Sequence, residues 1–497
     1  MHRLGTAAAL VLLLSGSSLA QSRPRAVAAD APLAVNVSST EHGQALARGF
    51  VGVSLEYKAL HLYTGRDPRT VDPVFVQLLR QLAPGQTPVI RIGGDSADAT
   101  WWPIPGVVPP GGISYRLNDG WLRTTQALAS TLGAKLILDL NLAAGRPSFA
   151  AAEARAFLEG IGRRFISAFE IGNEPDLYPA FFWYRDRRGH AARARGHGYN
   201  LGSLISDYTR FRAALPRIAV AGPALSGPKW MVALGHFLST QRGLGIVTYH
   251  RYPLRSCATD PKSSSFPTIP ALLADRSAAG LAAPVARFAS VAHAHHVKFR
   301  VGEMNSASCQ GRAGVSDTFA SALWIVDALF NMAKAGVDGV NVHSLPGAAY
   351  ELFTFSQNAS GESQAFVRPD YYGLLLFDRA FPPGARLLSV AAPGGPVKVW
   401  ATAGLDGKTR VVVINKDPAA AHTVQLQLPG TQSEGSLESL LAPSVDATTG
   451  VTLGGQTFGP ETTTGSLPGP ELTTPIDPVA GSYSIDVPPA SAVLLTK

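Results

Sequence analysis

The sequence predicts an α/β protein, a (β/α)8 TIM barrel with a C-terminal antiparallel β-sandwich, and three observations carry that expectation. Eight short apolar runs alternate with helix-length segments between residues 47 and 382. The runs are almost continuously hydrophobic rather than alternating, as parallel strands buried on both faces are. Beyond residue 385 the pattern gives way to short β-type stretches separated by turns rich in Gly, Pro, Ser and Thr.

The candidate strands are 50–57, 89–94, 135–141, 165–174, 217–223, 246–252, 298–304 and 337–344. Helical segments are expected at 73–82, 118–132, 151–162, 201–214, 230–242, 282–295 and 315–335, with a last one at 370–379. Residues 397–401, 409–414, 423–428 and 492–495 read as strands of the second domain. Residues 447–478 read either as a low-complexity linker or as a long surface loop. Strand-like residues 33–38 precede the barrel and are expected to pair into the sandwich.

At the start of the chain, Arg3, an apolar run at 7–14 and Ser18-Leu19-Ala20 form the pattern of a secretory signal with a small-residue cleavage site. The run falls short of the ~20 apolar residues that a membrane span needs. The expected organisation is therefore a signal peptide at 1–20, an N-terminal strand at 32–46 joining the sandwich, the barrel at 47–382 and the sandwich at 383–497. The mature protein is expected to be secreted or periplasmic, with no membrane association once the signal is removed.

A chain that is 46% hydrophobic and 16% charged has the balance of a folded protein. Its formal net charge of +8 becomes +7 without Arg3, a mild excess that can steer an acidic polysaccharide. No basic run is interleaved with aromatics, so nucleic acid is not an expected partner.

Two of the apolar runs end in carboxylates: Phe169-Glu-Ile-Gly-Asn-Glu-Pro175 and Lys298-Phe-Arg-Val-Gly-Glu303-Met-Asn-Ser306. In a (β/α)8 barrel the reactive groups sit at the C-terminal ends of the strands. Glu174 then closes the fourth strand and Glu303 the seventh, facing each other across the mouth. Such a pair is what glycosidic bond cleavage uses, retaining configuration at a separation of about 5 Å and inverting it at about 6.5–9.5 Å. Sequence leaves both distances open. Asn173 is suited to a sugar hydroxyl beside the reacting carbon. Tyr249 and His250, at the end of the sixth strand, are expected to hold Glu303 ionised. No cofactor is required. His293, His295 and His296 lack further ligands nearby, so no metal is expected. Trp101-Trp102 after the second strand are suited to stacking on sugar rings.

Together with Gly49-Phe-Val-Gly-Val-Ser-Leu-Glu56-Tyr57, Arg91-Ile-Gly-Gly-Asp95-Ser96 and Gly314-Val-Ser-Asp-Thr-Phe-Ala-Ser-Ala-Leu-Trp324, these motifs resemble glycoside hydrolase family 79, the β-glucuronidase and heparanase-like enzymes of the retaining (β/α)8 clan. The resemblance spans nearly the whole mature chain. It implies a glucuronide or acidic glycan as substrate, Glu174 as acid/base, Glu303 as nucleophile, and a β-domain completed by an N-terminal strand. Glu56 and Asp95 become candidates for sugar hydroxyls, and Arg91 for a buried ion pair behind the nucleophile. Members of the family often hold the uronate with a tyrosine and glycines just after the nucleophile. Here the loop reads Asn305-Ser-Ala-Ser-Cys309-Gln310-Gly311, which makes Asn305, Ser308, Gln310 and Gly311 the candidate contacts. His343, ending the eighth strand, is another. Cys257 and Cys309 follow strands six and seven and are expected to form a disulfide at the mouth. The alternatives are a β-glucosidase, β-xylosidase or arabinofuranosidase-type activity of the clan, or a carbohydrate-binding barrel without catalysis.

Overall fold

A computed structural model describes residues 31–241, 243–430 and 433–497. The expected signal peptide at 1–20 lies outside the described residues.

Eight parallel strands close a barrel: Val51–Glu56, Val89–Gly93, Lys135–Leu140, Ile166–Ile171, Val220–Leu225, Leu244–Arg251, Lys298–Met304 and Gly339–Ser344. Each lies on one of the expected strands. The ring shuts where the eighth strand pairs with the first, Val340 opposite Val51. Every residue of strands one, five and eight is buried. One set of side chains fills the barrel and the other lies under the helices, which is why these segments read as continuous apolar runs.

Several helices begin where a side chain takes up an otherwise unpaired N–H. Asp72 accepts from Phe75, Asn118 from Trp121, Asn200 from Ser203 and Thr268 from Ala271. The helix expected at 230–242 forms instead as two short pieces, Pro228–Met231 and Leu234–Thr240. Helix Phe319–Lys334 is buried almost all round, because the C-terminal sheet covers its outer side.

That sheet takes the form of one continuous ten-stranded array. The N-terminal strand Leu33–His42 sits inside it, antiparallel to Arg386–Ala391 and parallel to His422–Gln427. Strict alternation gives the sheet two buried faces. Val411, Val413, Val493 and Leu495 join Val35, Val424 and Ile485 in a core of its own. Val412, Ile414, Ala492 and Leu494 turn the other way, into the barrel's core. Within that contact Asp327 accepts from Trp400 Nε1 at 2.9 Å and from Lys416 Nζ at 2.5 Å, with both charged side chains 3% exposed. Residues 447–478 supply two short strands of that sheet, Thr452–Leu453 and Thr474–Ile476, joined by a loop sewn onto the barrel: Phe458 packs edge-on against Tyr371 and Tyr372, and Thr462 pairs with Ala365.

Removing one partner of a buried ion pair strands the other charge without compensation. Lys416→Met is therefore expected to destabilise the protein by about 3–5 kcal/mol, read as a lowered midpoint in thermal or urea unfolding; an unchanged midpoint would show that the pair does not secure the sheet.

Candidate active site

The site is organised by a charge that no ligand can reach. Arg91, in the middle of strand two, is completely buried inside the barrel. Its Nε donates to Glu170 Oε2 at 2.5 Å, Nη1 to Glu303 Oε2 at 2.9 Å and Ser54 Oγ at 3.1 Å, and Nη2 to Asn173 Oδ1 at 3.0 Å and Asp139 Oδ2 at 3.3 Å. A guanidinium suits this position because its donors lie in a fixed plane and it stays charged when buried. The expected ion pair behind Glu303 is present, and it extends to Glu170 and Asp139. Burial and the adjacent Glu170 push the Asp139 carboxyl well above the usual range.

Glu303 lies one residue before the end of strand seven, with a side chain 10% exposed. Its second oxygen accepts from Tyr252 Oη at 2.6 Å. Burial alone would raise its pKa. His343, His250, Arg91 and the Tyr252 hydroxyl outweigh burial and bring it down to about 2. The carboxylate is thus ionised, aligned by two donors and open on one side.

Glu174 follows strand four by three residues and adopts a left-handed backbone, φ 46° and ψ 51°. Its N–H is held by the carbonyl of Ala224 at 2.9 Å. A non-glycine residue in this region is disfavoured by about 1 kcal/mol, and the turn sends Asn173 inward to Arg91 while Glu174 reaches the cleft. Burial raises the Glu174 pKa to about 7, with the hydrogen bond from His250 opposing the rise and the charges of Glu303 and Asp95 adding to it. His250 Nδ1 lies 3.0 Å from Glu174 Oε1. One oxygen of each glutamate and one ring nitrogen of His250 all fall within 4.8 Å of one another. Among the described residues this is the one such cluster with metal-ligand spacing. Its Glu303 oxygens are already engaged by Arg91 and Tyr252, so the arrangement favours two carboxylates acting on an organic group.

Several other expected residues are also at the mouth. Asn173 Nδ2 donates to Asp95 Oδ1 at 3.1 Å, and Asp95 is solvent-exposed. Glu56 accepts from the N–H groups of Asp95 and Ser96 at 3.1 and 2.7 Å, fixing the loop after strand two. Burial, together with Asp95, lifts the Glu56 pKa to about 8. His343 is buried between Glu56 and Glu303, with Nδ1 3.2 Å from Ser54 Oγ and 3.7 Å from Glu303 Oε2. Burial lowers its pKa.

Other residues do not sit where the sequence suggested. Tyr249 faces away from the cleft, packed edge-on against helix residue Phe288 and bonded by Arg251; its neighbour His250 points inward because side chains alternate along a strand. Tyr252, not Tyr249, joins Arg91 as a donor to Glu303, while His250 bonds to Glu174 and favours the ionised Glu303 through its charge, as expected. Asn305 spends its amide on the carbonyls of His343 and Tyr350 and its oxygen on the Ser306 N–H, so it shapes the loop. Ser308 sits in a short parallel pairing, Leu254–Arg255 with Ala307–Ser308, that joins the loops after strands six and seven. The Cys257–Cys309 disulfide clasps the same two loops, with Cα atoms 5.8 Å apart. Cys309, Gln310 and Gly311 all have left-handed backbones, and a Cβ at Gly311 would come within 2.9 Å of the Tyr350 N. Gln310 is exposed and Gly311 half-buried. Trp101 is buried against Phe149 rather than lining the cleft. Tyr350 was not anticipated: it lies against His343 and Tyr252, with ring centroids 5.7 and 6.2 Å away.

Residues 399–494 match the glycosyl hydrolase family 79 C-terminal beta domain. The β-domain of this chain is similar to that of family 79. That match bears out the resemblance drawn from the motifs, and the family 79 domain contains most of the strands of the ten-stranded sheet. A β-glucuronidase of Neurospora crassa is 25% identical over 377 residues, 68% of this chain and 64% of that protein. One from Aspergillus niger is 24% identical over 227 residues, 40% of this chain and 41% of the relative. The chain thus spans less than two thirds of the length of these curated relatives. Among solved structures, a 4-O-α-L-rhamnosyl-β-D-glucuronidase from Fusarium oxysporum superposes with a TM-score of 0.69 at 18% identity, over 94% of this chain and 100% of that one. A GH51 arabinofuranosidase from Xanthomonas axonopodis pv. citri gives 0.63 at 16%, over 93% and 99%. These likenesses establish the shared fold of barrel and β-domain.

A hydrogen bond to a charged group contributes about 1.5–3 kcal/mol, equivalent to about 1–2 pH units. Tyr252→Phe should accordingly raise the Glu303 pKa by about one unit or more, followed by carbon NMR of the labelled carboxylate. A titration identical to the wild type would show that Arg91, His343 and His250 set its charge without Tyr252.

Proposed function

We propose that this chain is a secreted retaining β-glucuronidase that hydrolyses glucuronides or uronic-acid-containing glycans by double displacement. The observation that carries the reading is the Glu174–Glu303 pair, with oxygens within 4.8 Å and proton affinities pushed in opposite directions. That proximity supports the retaining geometry of about 5 Å over the wider inverting one of about 6.5–9.5 Å.

In the first step Glu303 attacks the anomeric carbon as the bond to the leaving oxygen breaks, and the proton of Glu174 passes to that oxygen. In the second, ionised Glu174 takes a proton from water, whose oxygen displaces Glu303 from the anomeric carbon. Arg91 and Tyr252 hold the nucleophile in line throughout. On this reading Asn173, Asp95 and His343 bind sugar hydroxyls, and the clasped loop with Ser308, Gln310 and Gly311 borders the sugar. The choice of glucuronate is supported by the named activities of the relatives. Export is supported by the leader pattern, by the disulfide and by the lack, among the described residues, of a helix long and apolar enough to cross a membrane. On this reading the mature enzyme is a barrel at 47–382 and a β-domain at 383–497, the latter completed by residues 32–46.

Among a panel of 4-nitrophenyl β-glycosides, the glucuronide is expected to be the best substrate, with the β-anomer of the free sugar formed first by proton NMR. Cleavage of the glucoside or arabinofuranoside in preference would reassign the sugar, and an inverted first product would reject the mechanism. Glu303→Gln should lower kcat by at least about a thousandfold.

The pH dependence follows from the two carboxyls. Glu303 is ionised above about 2, and Glu174 must hold its proton, which it loses as pH rises through about 7. The value of kcat/KM should therefore be level from about pH 3 to 6 and fall tenfold per unit above about 7; activity still rising at pH 8 would contradict the assignment of Glu174.

A further inference from the structure

Three buried polar atoms deep in the barrel have no hydrogen-bond partner within the protein: His250 Nε2, Glu170 Oε1 and Thr248 Oγ1. They converge on one place. A side chain built onto Gly302 would put its Cβ 3.6 Å from His250 Nε2, 3.6 Å from Glu170 Oε1 and 3.4 Å from Thr248 Cβ. Gly302 is also the point where strand seven bulges: Tyr249 pairs with Val301, and the next residue, His250, with Glu303. Its backbone is not in the left-handed region and the contacts of a Cβ would be ordinary, so neither conformation nor collision requires glycine there. What glycine keeps is room.

We propose that one buried water occupies the space beside Gly302, bonded to His250 Nε2, Glu170 Oε1 and Thr248 Oγ1, and that it makes His250 a positioning residue for Glu174. Buried polar groups without partners are rare, and an internal water characteristically makes about three hydrogen bonds. Water fits this set because it can meet either state of the ring. It accepts from Thr248 while donating to Glu170 and to a neutral Nε2, or it accepts from a protonated Nε2 and still donates to Glu170.

The functional consequence rests on the acid/base reading of Glu174 given above. The charged and titratable groups facing His250 are Glu174, Glu303, Arg91, Asp95 and His343, with Glu170 joined through the water. When Glu174 has given up its proton, the ring must direct Nδ1–H at its Oε1. The water and Glu170 stabilise that state from behind. Displacing the water withdraws that support, so ionised Glu174 becomes less favourable and its proton is held to higher pH.

Gly302→Ala fills the space without a clash, and Gly302→Ser replaces the water by a hydroxyl. Three measurements decide the matter: electron density beside residue 302 at high resolution, the titration of nitrogen-labelled His250 by NMR, and the basic limb of kcat/KM on an aryl glycoside. The expected result is a water peak in the wild type that Ala removes. In the Ala variant the basic limb moves upward by about half to one unit and the His250 titration moves downward, and Ser restores most of both. Absence of the peak in the wild type, or an Ala variant with wild-type His250 titration and basic limb, overturns the proposal. If Gly302→Ala does not fold, Thr248→Val removes one partner at nearly constant volume and should shift both readouts the same way by a smaller amount; no shift there counts against it. A wild type with no glycosidase activity would reject the reading of Glu174, while the density and the NMR titration would still decide on the water.

Discussion

A single guanidinium sealed inside the barrel holds the site together. Arg91 touches Glu303 from strand seven, Glu170 from strand four, Asp139 from strand three, Ser54 from strand one, and Asn173 from the turn before Glu174. An unpaired cation there would be prohibitively costly, and an acid pair facing each other would repel. Each problem answers the other. The cation keeps the Glu303 carboxylate ionised in a dry place, and the acids around it keep the cation tolerable. Because the contacts run to different strands, the position of one glutamate is tied to the closure of the whole ring.

The two reactive carboxyls differ in charge because their neighbours differ. Glu303 has two strong donors, one of them the Arg91 cation, whereas Glu174 has one imidazole and sits at the cleft edge with Asp95 nearby. The separation of their proton affinities is thus built from the neighbouring charges, with the Tyr252 hydrogen bond adding to it at Glu303 and burial common to both. Rigidity comes from elsewhere: the disulfide and short strand pairing tie the loop after Glu303 to the loop that carries Tyr252, so donor and acceptor are fixed to the same clasp.

All eight barrel strands were legible because each must be apolar on both faces, and the two glutamates were legible because they interrupt or end such runs. The same signal was available for Glu170 and Asp139, lone acids within apolar strands, which could have been matched to Arg91, the lone cation of strand two. What sequence did not resolve was direction. Which of the adjacent residues Tyr249 and His250 faces inward is set by how strand six sits in the closed ring, and Tyr252 lies past the strand in a loop whose path is set by its neighbours. The loop residues Asn305 and Ser308 looked like donors for a ligand, but a loop must first satisfy its own backbone. The sheet that completes the fold was legible in its alternation; its pairing order was not, since it joins residues hundreds of positions apart.

That pairing has a consequence for how the molecule is made. Residues Leu33–His42 are synthesised early, yet their neighbours Arg386–Ala391 and His422–Gln427 arrive only after the whole barrel has been translated. The first strand must wait, unpaired, while eight others assemble. Such distant pairings slow folding and leave an edge exposed in the interval. Birth order and spatial order therefore run opposite ways: the earliest described segment of the chain is among the last to find its place.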